Sequence, residues 1–321
     1  MEAGRSTSRP PSPTVAGAFD IPLTLPFRNV RRRRGLLVRG PAGWGEWSPF
    51  AEYPPAVTAR WWAAAVEAAS VGWPRAVRDQ VAVNAIVPAV DPERAYRLAR
   101  ESGCATVKVK IGVGDDRGRV EAVRDAVGAG GRVRVDVNAT WDVDTAVRRL
   151  RDLVRYDLEY VEQPVADLAD FPRVRAGVDV PLAADESVRL APDPLRVAGI
   201  AAADVVILKV QPLGGVRRCL QVAEAAGRPV VVSSAVETSV GLAAGLALAA
   251  ALPDLAGACG LGTLSLLRGD VTADPLRPVG GVLRVRRPEP DAGLLDRWSA
   301  ADEVADGLHP RLAAAQAASA A

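Results

Sequence analysis

The 321-residue chain contains one histidine, His309, in a polar tail near its carboxyl end. That leaves almost no room for a Ser-His-Asp triad, a Cys-His pair or a histidine-ligated metal. Acid–base chemistry must then fall to Lys, Asp, Glu or Tyr. Cysteine is nearly as scarce. Cys104, Cys219 and Cys259 are odd in number, widely spaced and in no C-x-x-C pair. They argue against a disulfide frame or a zinc site and for reduced thiols in a cytoplasmic protein.

Net charge is also lacking. With 40 Lys+Arg against 38 Asp+Glu the balance is +2, too little to draw nucleic acid or an anionic membrane. The one basic run, Arg31 to Arg34, reads as a solvated strand face. The longest apolar stretch, Val240 to Leu252, is too short to span a bilayer and reads as a buried Ala- and Gly-rich helix. The polar, proline-rich start has no apolar core of a signal peptide, and residues 1–14 are expected to be a disordered lead. No interface is legible, so the oligomeric state stays open and a monomer satisfies the sequence.

What the chain does have is a repeating order. From Val81 onward, short β-branched runs alternate with amphipathic segments, the signature of βα units around a parallel sheet. The runs begin at Val81, Ala105, Arg132, Leu158, Val180, Ala203, Arg228 and, more weakly, Gly257. Helices fit between them. Asp91 and Pro92 start one that stops at Gly103; others run from about Asp144 through Val154 and from about Gly215 to Gly227. Lys108, Asp136, Glu162, Asp185, Lys209 and Ser233 recur every 23 to 28 residues, about one βα unit.

This spacing favours a closed α/β barrel over residues 81–270, with an open doubly wound sheet as the alternative. Residues 15–80 read differently: strands at Phe19–Phe27 and Arg31–Arg39, a hairpin at Gly40-Pro41-Ala42-Gly43, and a helix from Thr58 to Ser70. They predict an α+β capping domain completed by residues 271–321.

Side chains alternate faces along a strand, so Lys108 and Lys110 share one face, as do Asp136 with Asn138, Glu162 with Pro164, Asp185 with Ser187, and Lys209 with Gln211. A charge on a strand covered on both sides is costly unless paired or bound to metal. Each member has a bland reading alone. Asp136 or Asp185 could cap the next helix, and a lone lysine could be a surface charge. Five consecutive strands carrying one is a pattern, and barrel chemistry gathers at the carboxyl ends of strands. Three carboxylates make a hard oxygen site suited to Mg²⁺. Burial and positive neighbours lower a lysine's proton affinity, and Lys108 stands two residues from Lys110.

Lys108-Val109-Lys110, Asp136-Val137-Asn138, Glu162-Gln163-Pro164, Asp185-Glu186-Ser187 and Lys209-Val210-Gln211-Pro212, taken in order, resemble the muconate-lactonising subgroup of the enolase superfamily. The resemblance covers about residues 19–285 and implies a TIM-like (β/α)7β barrel with an α+β capping domain and abstraction of the proton next to a small-molecule carboxylate. It implies Asp136, Glu162 and Asp185 as ligands of Mg²⁺, or alternatively Mn²⁺. Lys110 would be the base and then the acid for a departing hydroxyl, Lys209 would stabilise the anion, and Lys108 would tune Lys110 and contact the carboxylate. Asn138, Ser233, Ser234, Gly262 and Thr263 are the further substrate contacts it implies. The segment from Gly43 to Phe50 resembles the capping loop that closes over the site. A hydro-lyase reaction is expected. The alternatives are racemisation of an N-acylamino acid and a non-catalytic ligand-binding barrel.

Overall fold

The structure, a computed structural model, describes residues 12–27, 30–197 and 199–320. Of the fourteen residues expected to be disordered, 1–11 lie outside the described residues, and Thr14 already opens the first strand. Strands β1 (Thr14–Phe27), β2 (Val30–Gly40) and β3 (Gly43–Trp47) form an antiparallel sheet in that order. Gly40 pairs with Gly43 across the predicted hairpin, and Gly43 takes a φ of +122°, where a side chain would be strained.

Helix α1 (Pro55–Val66) packs on this sheet, burying Trp61 and Ala65 against Leu36, Val38 and Trp47. It starts three residues before the expected Thr58, because Pro55 at the first turn suits a helix start.

The basic run in β2 is not one solvated face. Arg32 and Arg34 both reach Asp20 at the surface. Arg33 alternates inward and is only 3% exposed. It donates to the carbonyls of Val236 and Ser48.

After β4 (Gln80–Ala82), seven strands form one parallel sheet: β5 (Ala85–Val87), β6 (Thr106–Lys110), β7 (Arg132–Asp136), β8 (Leu158–Glu162), β9 (Leu182–Ala184), β10 (Val205–Lys209) and β11 (Val230–Ser233). Each pairs with the next in sequence. The predicted eighth run forms only single parallel bridges, Ser233 with Gly260 and Val83 with Cys259. Gly257, Gly260 and Gly262 offer no side chains to support a longer ladder. Those bridges still join β11 to the segment before β5, so the curled sheet closes into a barrel.

The connecting helices are α2 (Pro92–Glu101), α3 (Asp116–Val127), α4 (Val143–Leu153), α5 (Phe171–Gly177), α6 (Glu186–Arg189), α7 (Val210–Leu213), α8 (Val216–Ala226) and α9 (Ser239–Ala251). The expected boundaries have visible causes. Asp91 caps α2 through the Arg94 amide, Asp142 caps α4 through the Thr145 amide, and Gly227 ends α8 in the left-handed region. Helix α9 is buried on nearly every side, as its apolar run predicts. Among the described residues no helix is long and apolar enough to cross a membrane, and all three cysteines are free and buried.

The remaining chain divides. Strand β12 (Val282–Arg284) pairs antiparallel with β4, at the amino-terminal end of the first barrel strand. Helices α10 (Ala292–Arg297) and α11 (Asp302–Ala320) follow. Through Leu308, Leu312 and Ala315, α11 joins the cluster around Trp47 and Trp61.

Candidate active site

Charged residues end five consecutive barrel strands or directly follow them, and register brings several side by side. Lys110, Asp136 and Glu162 are level across β6, β7 and β8, and Lys209 is level with Ser233 across β10 and β11. Two residues earlier on the same faces, Tyr160, Ile207 and Val231 pack with Ala183 as a floor. Beside them Arg134 is fully buried, 4.7 Å over the Tyr160 ring. It is held by Glu159, Asn84 and the Ala258 carbonyl. The floor is therefore filled, and the charged layer lies above it.

In that layer every lysine faces a carboxylate. Lys108 donates to both oxygens of Glu162, at 2.9 and 2.8 Å, and lies 3.1 Å from Asp136 Oδ2. Lys110 holds the same Asp136 oxygen and donates to Asn138 Oδ1 at 2.8 Å. Lys209 donates to Asp185 Oδ2 at 2.6 Å. All six charged groups are buried, so none is a solvated surface charge.

The electrostatics follow from that burial. Desolvation alone would raise the Asp136 carboxyl, yet Lys110 and Lys108 hold it well below the ordinary carboxylate range. Asp185 is likewise pulled down against its burial, by Lys209 and Arg189. Glu162 goes the other way. Burial and the negative charges of Asp136 and Asp185 push it up to about 7, against the pull of Lys108. Lys108 also resists burial, because Glu162 and Asp136 hold its proton on. Sequence reasoning cast Lys108 as a neighbour pressing on Lys110; the structure makes it the bridge between two carboxylates.

Among the described residues no three acidic, histidine or cysteine side chains stand as a formed metal cluster. Asp136, Glu162 and Asp185 are instead each turned onto a lysine. Their chemistry still suits a hard divalent cation, since they are oxygen donors on neighbouring strands. Asp136 and Glu162 also stand close together, since the Lys108 ammonium lies 3.1 Å from one and 2.8 Å from the other.

A small cavity of about 20 Å³ lies among these lysines, also lined by Asn84, Ser233, Ser234 and Thr263. Ser234 and Thr263 hydrogen-bond each other at 2.7 Å. Gly262 is not on the lining; a Cβ there would stand 2.6 Å from the Asn84 carbonyl, so its place is one of close backbone packing. Asn138 lines a neighbouring cleft of about 580 Å³. Phe27, Phe50 and Lys110 line both spaces, and the Lys110 ammonium lies 5.0 Å over the Phe27 ring. Phe27 ends β1 and Phe50 lies three residues past β3, so the cap supplies wall between chamber and cleft.

The strand alternation expected beyond the charges does not continue. Asn138 has a φ of +54°, Ser187 is in α6, and Gln211 is in α7, donating to Ser48 of the cap. Phe50 lies at the end of the segment whose resemblance suggested a loop closing over the site, whereas sequence reasoning missed Phe27, Asn84 and Arg189. Of these three only Arg189 left a signal, four residues after Asp185 at ion-pairing distance on a helix.

The chain has known relatives. The family description "Enolase C-terminal domain-like" matches residues 91–294, and "Enolase N-terminal domain-like" matches residues 18–69. The chain belongs to the enolase superfamily. Among its relatives, proteins named o-succinylbenzoate synthase stand out. It is 64% identical to the one from Thermobifida fusca, over 84% of this chain and 87% of the relative, and 49% identical to that of Mycolicibacterium smegmatis, over 86% and 87%. In fold it is similar to the muconate lactonizing enzyme of Pseudomonas fluorescens, with a TM-score of 0.77 and 23% identity over 88% of this chain and 97% of that one.

Proposed function

We propose that this chain is a cytoplasmic o-succinylbenzoate synthase. It would catalyse the syn-dehydration of 2-succinyl-6-hydroxy-2,4-cyclohexadiene-1-carboxylate to o-succinylbenzoate in menaquinone biosynthesis. The observation that carries the reading is a chamber lined by three lysines, each paired with a buried carboxylate, in a chain so similar to proteins of that name.

In this reading Lys110 takes the proton from the ring carbon bearing the carboxylate. It returns a proton to the hydroxyl leaving from the same face, so water departs and the ring becomes aromatic. Lys209 approaches from β10, across the barrel from β6, and its ammonium stabilises the negative charge between the two steps. Lys108, held charged by two carboxylates, is placed to meet the substrate carboxylate. Phe27 and Phe50 exclude water from the chamber, and Ser233, Ser234, Thr263 and Asn138 offer hydrogen bonds. Asp136, Glu162 and Asp185 would hold a divalent cation, Mg²⁺ or alternatively Mn²⁺, which supplies positive charge where the substrate carboxylate gains electron density. In this reading the cap is residues 15–80 with 271–321, seated on a barrel of residues 81–270, and β12 ties the carboxyl-terminal segment to the barrel through β4.

The test is turnover of the hydroxycyclohexadiene substrate by purified protein, followed by the absorbance of the aromatic product. Activity should vanish with a chelator and return with Mg²⁺ or Mn²⁺. Folded, Mg²⁺-loaded protein that leaves the substrate intact refutes the assignment. Lysines on opposite sides of the chamber also suit racemisation of an N-succinylamino acid, which exchange of its α-proton with deuterated water would reveal.

A further inference from the structure

A second set of buried contacts runs from the cap into the barrel, and the chemistry above does not use it. Arg189 ends α6 and is 1% exposed. Its Nε donates to Asp185 Oδ1 at 3.1 Å, its Nη2 to Glu186 Oε1 at 2.8 Å, and its Nη1 to the Tyr53 hydroxyl at 2.6 Å. Tyr53 belongs to the cap, between β3 and α1. One rigid guanidinium thus holds two barrel carboxylates and one cap side chain, a task for which a planar fork is suited and a point charge is not.

The contacts extend in both directions. In the barrel, Asn138 donates to the same Glu186 oxygen at 3.1 Å, and Lys110 donates to Asn138. Lys209 holds the other oxygen of Asp185. In the cap, the Tyr53 ring meets Phe50 edge-on at 5.8 Å between centroids, and Phe50 is part of the chamber wall. Arg60 of α1 adds a bond to the Arg189 carbonyl at 3.2 Å.

We infer that Arg189 is a positioning residue that couples the seating of the cap to the placement of Asp185 and, through Glu186 and Asn138, of Lys110. The inference rests on the reading of Asp185 as a cation ligand. On charge alone, an arginine beside such a ligand repels a divalent cation, so removing it should tighten binding. If its work is to aim the carboxylate, removing it should weaken binding. The two accounts differ in sign.

Mn²⁺ binding to the full-length protein, read from the electron paramagnetic resonance of the free ion, separates them. Arg189→Gln is expected to raise the Kd about 10- to 100-fold, the usual effect of losing a partner that orients a metal ligand. Arg189→Lys, which keeps the charge but not the fork, should behave similarly. Tyr53→Phe removes one hydrogen bond from the cap side and should raise the Kd about 2- to 10-fold. A role in folding alone would lower the number of sites per chain and leave the Kd of the remainder unchanged.

Unchanged or tighter binding in Arg189→Gln overturns the inference, as does wild-type binding in Tyr53→Phe. The Tyr53→Phe result decides the matter if the arginine variants do not fold. Wild-type protein that fails to bind Mn²⁺ overturns it as well. Wild-type protein that binds Mn²⁺ but does not dehydrate the substrate refutes the assigned reaction and leaves the coupling to be judged on the variants' Kd values.

Discussion

Replacing Arg33 by methionine tests whether the cap and the seventh barrel loop are held together by one buried cation. Arg33 donates through Nε to the Val236 carbonyl at 3.0 Å and through Nη2 to the carbonyl and hydroxyl of Ser48. Its guanidinium lies 4.6 Å over the Phe50 ring. Methionine fills much the same volume but strands two buried carbonyls, each worth roughly 1–3 kcal/mol when left unsatisfied. Relief from burying a charge, and the apolar gain of methionine, offset part of that. A net loss of roughly 3 kcal/mol follows, or about 6 °C in Tm for a chain of this size.

The loss should also reach the site. Val236 holds a φ of +64°, strained for a β-branched residue, and lines the chamber. With its carbonyl released, the loop should relax and KM should rise with a smaller change in kcat. Thermal unfolding by circular dichroism, run beside steady-state kinetics, measures both. An Arg33→Met protein melting within about 1 °C of wild type, with unaltered KM, would show that the bonds to Val236 and Ser48 hold nothing in place.

Two further outcomes are expected. Lys110→Met should lower kcat at least about 10³-fold while leaving the far-ultraviolet circular dichroism unchanged, given the usual contribution of a positioned acid–base group; residual activity within tenfold of wild type would remove Lys110 from the mechanism. Glu46, buried where it accepts bonds from Ser48, Thr238 and Gly241, is pushed by that burial from 4.5 to about 7. Between those values the folded protein binds the extra proton, so stability should fall as pH rises through the window, by about 3 kcal/mol in all. Glu46→Gln should flatten that part of the curve and be the more stable protein at pH 8. Parallel stability curves for the two proteins would contradict this.

The barrel was legible because its strands obey one simple rule. Buried parallel strands carry apolar residues with a charge at or just past the carboxyl end, and β6 to β10 keep that ending even where β6, β7 and β8 hold further charges inside. The rule stops where the strand stops. Extending the alternation to Asn138, Ser187 and Gln211 failed because β7, β9 and β10 have ended by those positions and the backbone has turned. The eighth run was visible only as a glycine-rich fragment, and glycine carries no periodicity to read.

Partners distant in sequence were hidden for a different reason. Lys108 meets Glu162 across 54 residues and Arg33 meets Val236 across 203, and no local pattern encodes which carboxylate or carbonyl a cation will find. That is why Arg33 was read as surface. It is also why Lys108 was cast as a neighbour of Lys110 rather than a bridge between carboxylates. Phe27 is an ordinary apolar strand-end residue until the cap folds over the barrel mouth and makes it part of a wall.

The charge balance of the chamber ties these observations together. Three lysines and three carboxylates, all buried, leave the layer close to neutral, which a water-poor interior demands because an uncompensated charge there is expensive. In the proposed mechanism Lys110 is neutral when it accepts the proton, so two ammonium groups then face three carboxylates and the layer favours the positive charge of a cation. The lysine–carboxylate contacts thus keep each of these buried charges compensated.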